Sequence, residues 1–257
     1  MLKKRIVITI SLIIILLVCL IFYINKKEKV HIPIDKKEYI VTEHKKELLN
    51  YFKEIALKSE FGNNPNKITK WTDTMLLHVI KEEEYEPQMQ AIKNVIDKIN
   101  RLATDGFKIV LTSSPSKSNA TLYLCDINRL SELAPYFHYI ITERVGYNVS
   151  GYVYSEFMTD TNIIDKSLIF INSEKPLDVQ ESTILEEITQ SLGLTFDSKK
   201  YVNSIFYADK SEQKNQIKKY SKLDEGIVKL LHHPKMKPGL NSLKLDSVII
   251  DIFKSEK

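Results

Sequence analysis

Residues 6–24 form an apolar or hydroxyl-bearing run of nineteen positions without one charge, and this constrains the chain before any other feature does. A helix rises about 1.5 Å per residue, so such a run is long enough to cross a hydrocarbon core of roughly 30 Å. Lys3, Lys4 and Arg5 precede it, and Asn25, Lys26 and Lys27 follow it. No pair of small residues follows in the arrangement a signal peptidase requires, so the sequence predicts an uncleaved anchor. Val18 before Cys19 stands where a lipid-attachment motif needs a small residue. Basic residues flank both sides of the run, and the short basic start places the N-terminus inside. The expected organisation is a basic flank at 1–5, a transmembrane anchor at 6–24, a Lys-rich stalk at 25–37 and a domain at 38–257. The expected location is the cell membrane, single-pass, with the domain facing outside the cytoplasm.

The formal net charge of +4 falls by three, to +1, once the charges before the anchor are set aside. That is no footprint for nucleic acid, which calls for a basic domain or stripe, so no nucleic-acid partner is expected. The two cysteines are Cys19, inside the anchor, and Cys125, so the domain has no internal disulfide. Cys125 lies between Leu124 and Asp126 and reads as a small buried hydrophobe. No repeat of solenoid period is present.

Within the domain, Asp35 and Glu38 have capping-box spacing, ahead of a helix bearing Leu48, Leu49, Phe52, Ile55 and Ala56 on one face. Turn chemistry at 62–65 ends it. Residues 75–80 read as a strand, with Trp71 before it as a core anchor. A helix after Pro87 carries Ile92, Val95, Ile96, Ile99 and Leu102 on one stripe and stops at Gly106. Residues 107–112 and 120–125 are strand-like, 139–141 and 152–154 resemble a hairpin about Gly146 and Gly151, and 167–171 reads as a buried strand. This order fits an α/β or α+β sheet. The run 243–253 fits neither helical nor strand period, and 210–220 reads as a polar loop or a lid.

The stretch 185–198, Leu-Glu-Glu-Ile-Thr-Gln-Ser-Leu-Gly-Leu-Thr-Phe-Asp-Ser, follows a capping-box spacing at Asp178 and Glu181 and predicts a helix over about 179–192. It resembles the zincin signature H-E-x-x-H, in which two imidazoles one turn apart bind one zinc and the Glu serves as general base. On the metzincin frame, Glu186 and Gln190 stand where the two His belong. Glu187 falls on the general base, Gly193 on the turn glycine and Phe196 on the third ligand. Residues 203–207 resemble the Met-turn segment, with Phe206 in the Met position. The helix opened by Ser221 and Asp224, with Leu223, Ile227, Leu230 and Leu231, resembles the closing metzincin helix. In that fold the last strand leads into the metal-binding helix. The pattern Glu-Glu-x-x-Gln-x-Leu-Gly-Leu is also close to a bacterial domain family of unknown function, many of whose members look secreted or membrane-anchored.

The resemblance implies an α+β, zincin-like mixed sheet with helices, preceded by one N-terminal transmembrane helix. Every metal-defining position is altered, so no zinc site and no cofactor are expected. On helical geometry Glu186, Glu187 and Gln190 project together, either into a cleft or onto a solvated face. No two His lie at i and i+4; His78 reads as a hydrogen-bonded strand residue, and His232 and His233 as caps of a helix end. An oxygen-rich site from Glu186, Gln190 and Asp197 suits a divalent cation such as Mg²⁺, Ca²⁺ or Mn²⁺ better than zinc. Two functions follow. One is a membrane-anchored degenerate zincin-like domain that acts as a binding or structural module for an unknown envelope ligand or protein. The alternative is an atypical metal-dependent, peptidase-like hydrolase with Glu187 as general base.

Overall fold

The computed structural model describes residues 42–58, 66–208 and 217–255. The chain divides into two units, Met1–Ile40 and Val41–Lys257, and the described residues belong to the second. The anchor and stalk expected at 6–37, the cap spacing at 35–38, the turn at 62–65 and most of the 210–220 segment lie outside the described residues. Among the described residues no helix is long and apolar enough to cross a membrane.

The domain is α+β, with a five-stranded mixed sheet and seven helices among the described residues. The strands are β1 (Met75–Lys81), β2 (Ile109–Leu111), β3 (Ala120–Cys125), β4 (Gly151–Phe157) and β5 (Ile164–Asn172), in the order β2-β1-β3-β5-β4. β1 pairs in parallel with β2 and β3, β3 in parallel with β5, and β4 runs antiparallel to β5. The central strand β3 is buried at five of its six positions, as a parallel strand covered on both faces must be.

Side-chain alternation divides the core into two layers. Tyr123, Cys125, Phe170 and Tyr152 point to a cluster with Phe137, Ile140 and Ile141. These last residues come from α4 (Pro135–Arg144), which follows the short α3 (Ile127–Leu133). Residues 139–141 are therefore helical, not one arm of a hairpin. Pro135 takes a first-turn position, and Phe137, Ile140 and Ile141 then fall on one side at i, i+3 and i+4. The actual hairpin is β4 with β5. Cys125 is fully buried and free, and burial pushes its thiol up to about 12, so it is an inert core residue.

The opposite layer holds Leu122, Leu124, Ile169 and Ile171 under α2 (Glu86–Leu102) and α5 (Leu177–Gln190), which pack on each other. The predicted stripe of α2 is buried at all five positions, each contributing about 1.5–3 kcal/mol of transfer free energy. The helix ends at Leu102, with Gly106 beyond it at φ +95°. α1 (Glu43–Leu57) is capped by Thr42, whose hydroxyl accepts from the Lys45 amide. It packs on α6 (Lys222–Leu231) and α7 (Ser242–Ser255). The 243–253 run is thus helical: Leu245, Ile249, Ile252 and Phe253 are buried, while Lys53 bonds Asp246 at 2.7 Å and Lys45 bonds the Phe253 carbonyl at 3.0 Å.

Candidate functional site

β5 passes into α5 through only four residues, 173–176. Gln180 braces this corner by donating to the carbonyls of Ser173 (2.9 Å) and Lys175 (2.6 Å). The Asp178–Glu181 capping box does not form. The helix starts earlier, with Pro176 as its N-cap, so Asp178 lies inside the first turn and accepts from the Val179 amide, while Glu181 pairs with Lys218 at 2.6 Å. Pro176 has no side-chain acceptor to offer.

From Thr183 to Leu194 every residue is buried, so the solvated-face reading of Glu186 and Glu187 is overturned. Glu186, Glu187 and Gln190 are 6, 7 and 8 % exposed. Sheet packing on one side and the loops after the helix on the other explain this. Glu187 lies against the start of the edge strand: a Cβ at Gly151 would stand 3.0 Å from Glu187 Cγ, 2.9 Å from the Phe170 carbonyl, and would collide with the Thr183 methyl. The missing side chain at Gly151 is what leaves Glu187 its room.

The end of α5 is fixed from several directions. Trp71 Nε1 donates to the Ser191 carbonyl at 2.9 Å, and Ser191 Oγ donates to the Ile188 carbonyl at 2.7 Å. Thr189 Oγ1 donates to the Leu185 carbonyl (2.6 Å) and accepts from the Tyr220 hydroxyl (2.5 Å). Burial raises the Tyr220 hydroxyl well above its ordinary value, so it stays a donor. At Gly193 the chain turns with φ +108°, and a Cβ there would run into the Thr69 carbonyl. Only glycine meets both conditions.

Beyond the turn, Asp197 comes back to the helix, and Gln190 Nε2 donates to its Oδ1 at 2.8 Å. Ser198 is bound on both backbone groups, to the Phe206 carbonyl (2.7 Å) and the Ala208 amide (3.0 Å). Its hydroxyl donates to Glu54 of α1 at 3.1 Å, and Lys200 pairs with the same carboxylate. Lys58 stands 4.8 Å over the Phe196 ring. Phe206 is fully buried, and the turn that carries it is pinned by Asp224. Asp224 accepts from Ser204 Oγ (2.5 Å), the Ile205 amide (3.3 Å) and the Ser221 amide (2.8 Å), and its own amide donates back to Ser221 Oγ, which makes a true capping box. Tyr51 of α1 completes the group by donating to Ser204 at 2.7 Å. Burial raises the Asp224 carboxyl above its ordinary value, although its donors oppose this.

The structure thus brings Gln190 and Asp197 into contact and buries Glu186 and Glu187 one turn before them. Gly193 and Phe206 are in the supporting turns. Among the described residues no three His, Cys, Asp or Glu side chains are placed to hold a metal ion. His78 bonds the Thr112 carbonyl at 3.0 Å, as the strand position suggested. His232 is the C-cap of α6, its amide donating to the Val228 carbonyl at 3.0 Å, but its ring does not serve the helix carbonyls: Nδ1 lies 3.2 Å from Asp105, and Lys70 bonds the Leu231 carbonyl. Gly151, Thr189 and Tyr220 are parts of the site that no sequence motif marked. The position of Gly151 at the start of a strand was the one available signal, since an interior glycine there implies close approach.

No curated protein matches the chain. The domain model of the DUF2927 family, described as a protein of unknown function, matches residues 45–250, which span the whole sheet and all of the site above, and the chain belongs to that family.

Proposed function

We propose that this protein is a membrane-anchored module whose domain faces outside the cytoplasm and binds an envelope ligand at the junction of α5 and β4. On this reading, α5 is a zincin-like helix whose zinc ligands have been replaced and whose surrounding framework is kept. The observation that carries it is the placement of Glu186, Glu187 and Gln190 together at the end of a helix anchored by Trp71, Tyr220 and the Gly193 turn, with Glu187 against the side-chain-free Gly151 of an edge strand. Three further features support it. The last strand leads directly into the helix, the Phe206 turn lies beneath the Asp197–Ser198 strap, and an early Asp in α6 pins that turn. β4 pairs with β5 alone among the described residues, so it offers main-chain groups to an extended chain laid beside it. The preferred ligand is therefore an extended peptide or a peptide-bearing envelope polymer.

The hydrolase reading places Glu187 as a base beside an ion held by Glu186, Gln190 and Asp197. It is disfavoured by the Gln190–Asp197 hydrogen bond, which occupies an oxygen that such an ion needs. The test is binding of the full chain to a peptide panel and to purified peptidoglycan, for the natural protein and for Glu187→Gln and Gln190→Ala. We expect binding to one probe, no turnover of it, and a loss of at least tenfold in both variants at unchanged secondary structure. Binding that both variants retain would remove the site from this junction.

A further inference from the structure

A second buried polar cluster lies away from the α5–β4 junction, where α6 ends. Lys70 Nζ donates to Asp105 Oδ2 (2.6 Å), to the Leu231 carbonyl (2.6 Å) and to the Met236 carbonyl (3.2 Å). His232 is fully buried, stacks on Phe107 at 4.2 Å, and turns Nδ1 to the same Asp105 oxygen at 3.2 Å. A carboxylate only accepts, so Nδ1 carries a proton, and in the neutral ring Nε2 is the bare nitrogen. Nε2 is buried and has no hydrogen-bond partner among the described residues. The His232 carbonyl in turn accepts from the amides of Thr104 (2.9 Å) and Asp105 (3.0 Å). Three segments distant in sequence are thereby joined: the lead into β1, the loop after α2 and the end of α6.

We propose that Lys70, Asp105 and His232 form an acid-sensitive latch that holds the end of α6 against the loop after α2 at neutral pH and releases it on acidification. The charges facing the imidazole are Asp105 on one side and Lys70 on the other, with Lys237 acting on Lys70 from beyond. Protonation would place a new N–H at Nε2, where the described residues offer no acceptor, in a site that already holds the Lys70 cation. A buried donor left without a partner is costly, so the charged ring is accommodated only in the open state. Burial, with Lys70 assisting, lowers the His232 pKa, which agrees with this geometry. The open state takes up a proton below about pH 6.5 and the closed state does not, so opening is favoured as pH falls. The latch also reaches the candidate site, because Lys70 pairs with Asn162 and Ile164 through its backbone and the neighbouring Thr69 carbonyl abuts Gly193.

The experiment is amide hydrogen exchange on the full chain between pH 7.5 and 5.5, corrected for intrinsic rates. The Thr104 and Asp105 amides report the latch, and the Ile205 and Asp224 amides report the other end of α6. The latch predicts that protection of the first pair falls by up to about tenfold per pH unit below pH 6.5, the slope of one linked proton, while the second pair holds. In His232→Phe, which keeps an aromatic ring on Phe107, the pH dependence should vanish. Unchanged protection of Thr104 and Asp105 would overturn the proposal. An equal loss at both ends, which would mean acid unfolding of the whole domain, would overturn it too. Both of these outcomes are read on the natural protein alone.

Discussion

Helix α6 is held at each end by an aspartate, Asp224 fully buried and Asp105 partly so, and the two are held in opposite ways. At its start Asp224 sits among neutral donors, the hydroxyl of Ser204 and the amides of Ile205 and Ser221. At its end Asp105 sits between Lys70 and His232. Burial pushes both carboxyls upward. At Asp224 burial prevails and the pKa is raised, whereas at Asp105 the hydrogen bonds and charges of His232 and Lys70 prevail and hold it well below the usual carboxylate range. Asp224 thus contributes stability that is fully present below the unfolded pKa of about 4 and is lost as pH rises through its raised folded value. Asp105 and His232 contribute stability that is present above their unfolded values of about 4 and 6.5 and is lost as pH falls. One end of the helix is a pin that tolerates acid, and the other is a lock that acid opens. The pin lies under the Phe206 turn and the candidate site, which therefore keeps its support where the lock does not.

The largest break in this contrast should come from Lys70→Met. It removes the buried cation, three donated hydrogen bonds and the match for Asp105, and should cost about 3–5 kcal/mol in urea unfolding. A loss below about 1 kcal/mol would mean that Lys70 is not the centre of the lock. Next comes Gly193→Ala, which joins a disfavoured φ to a collision with the Thr69 carbonyl; about 2–3 kcal/mol is expected. Its melting curve should lie below that of Gly106→Ala, where a Cβ meets nothing within 4 Å. The smallest effect belongs to Ser221→Ala, which deletes half of the capping box at the pin and should cost about 1 kcal/mol. Because Asp224 keeps its bonds to Ser204 and Ile205 in that variant, exchange at Ile205 should change little.

The parts of the fold readable from sequence are those with a clean period. The five-position stripe of α2, the run of β3 and the helix opened at Ser221–Asp224 lie where the pattern places them. Residues 139–141 misled because a three-residue apolar run carries no period, and only its packing on Tyr123, Cys125 and Tyr152 decides that it is helical. The C-terminal helix was hidden by apolar residues on several faces. It is set by docking on α1 rather than by its own pattern. At the candidate site, the motif located Glu186, Glu187, Gln190 and Gly193, but it gave no burial and no sign of Gly151, which comes from a strand far back in the chain. The lock was not legible at all, since Lys70 lies 35 residues from Asp105, and Asp105 lies 127 from His232. Single charged residues in apolar surroundings announce a partner without naming it.

The central claim is that the end of α5 keeps a zincin-like framework without its metal chemistry. The measurement that meets this claim most directly is the metal content, by mass spectrometry, of the full chain purified without chelator, beside Glu186→Ala and Glu187→Ala. The account predicts less than about one tenth of an equivalent of any transition or alkaline-earth metal in all three, each stably folded. A stoichiometric metal in the natural protein that Glu186→Ala loses would contradict it and favour the hydrolase reading with Glu187 as base.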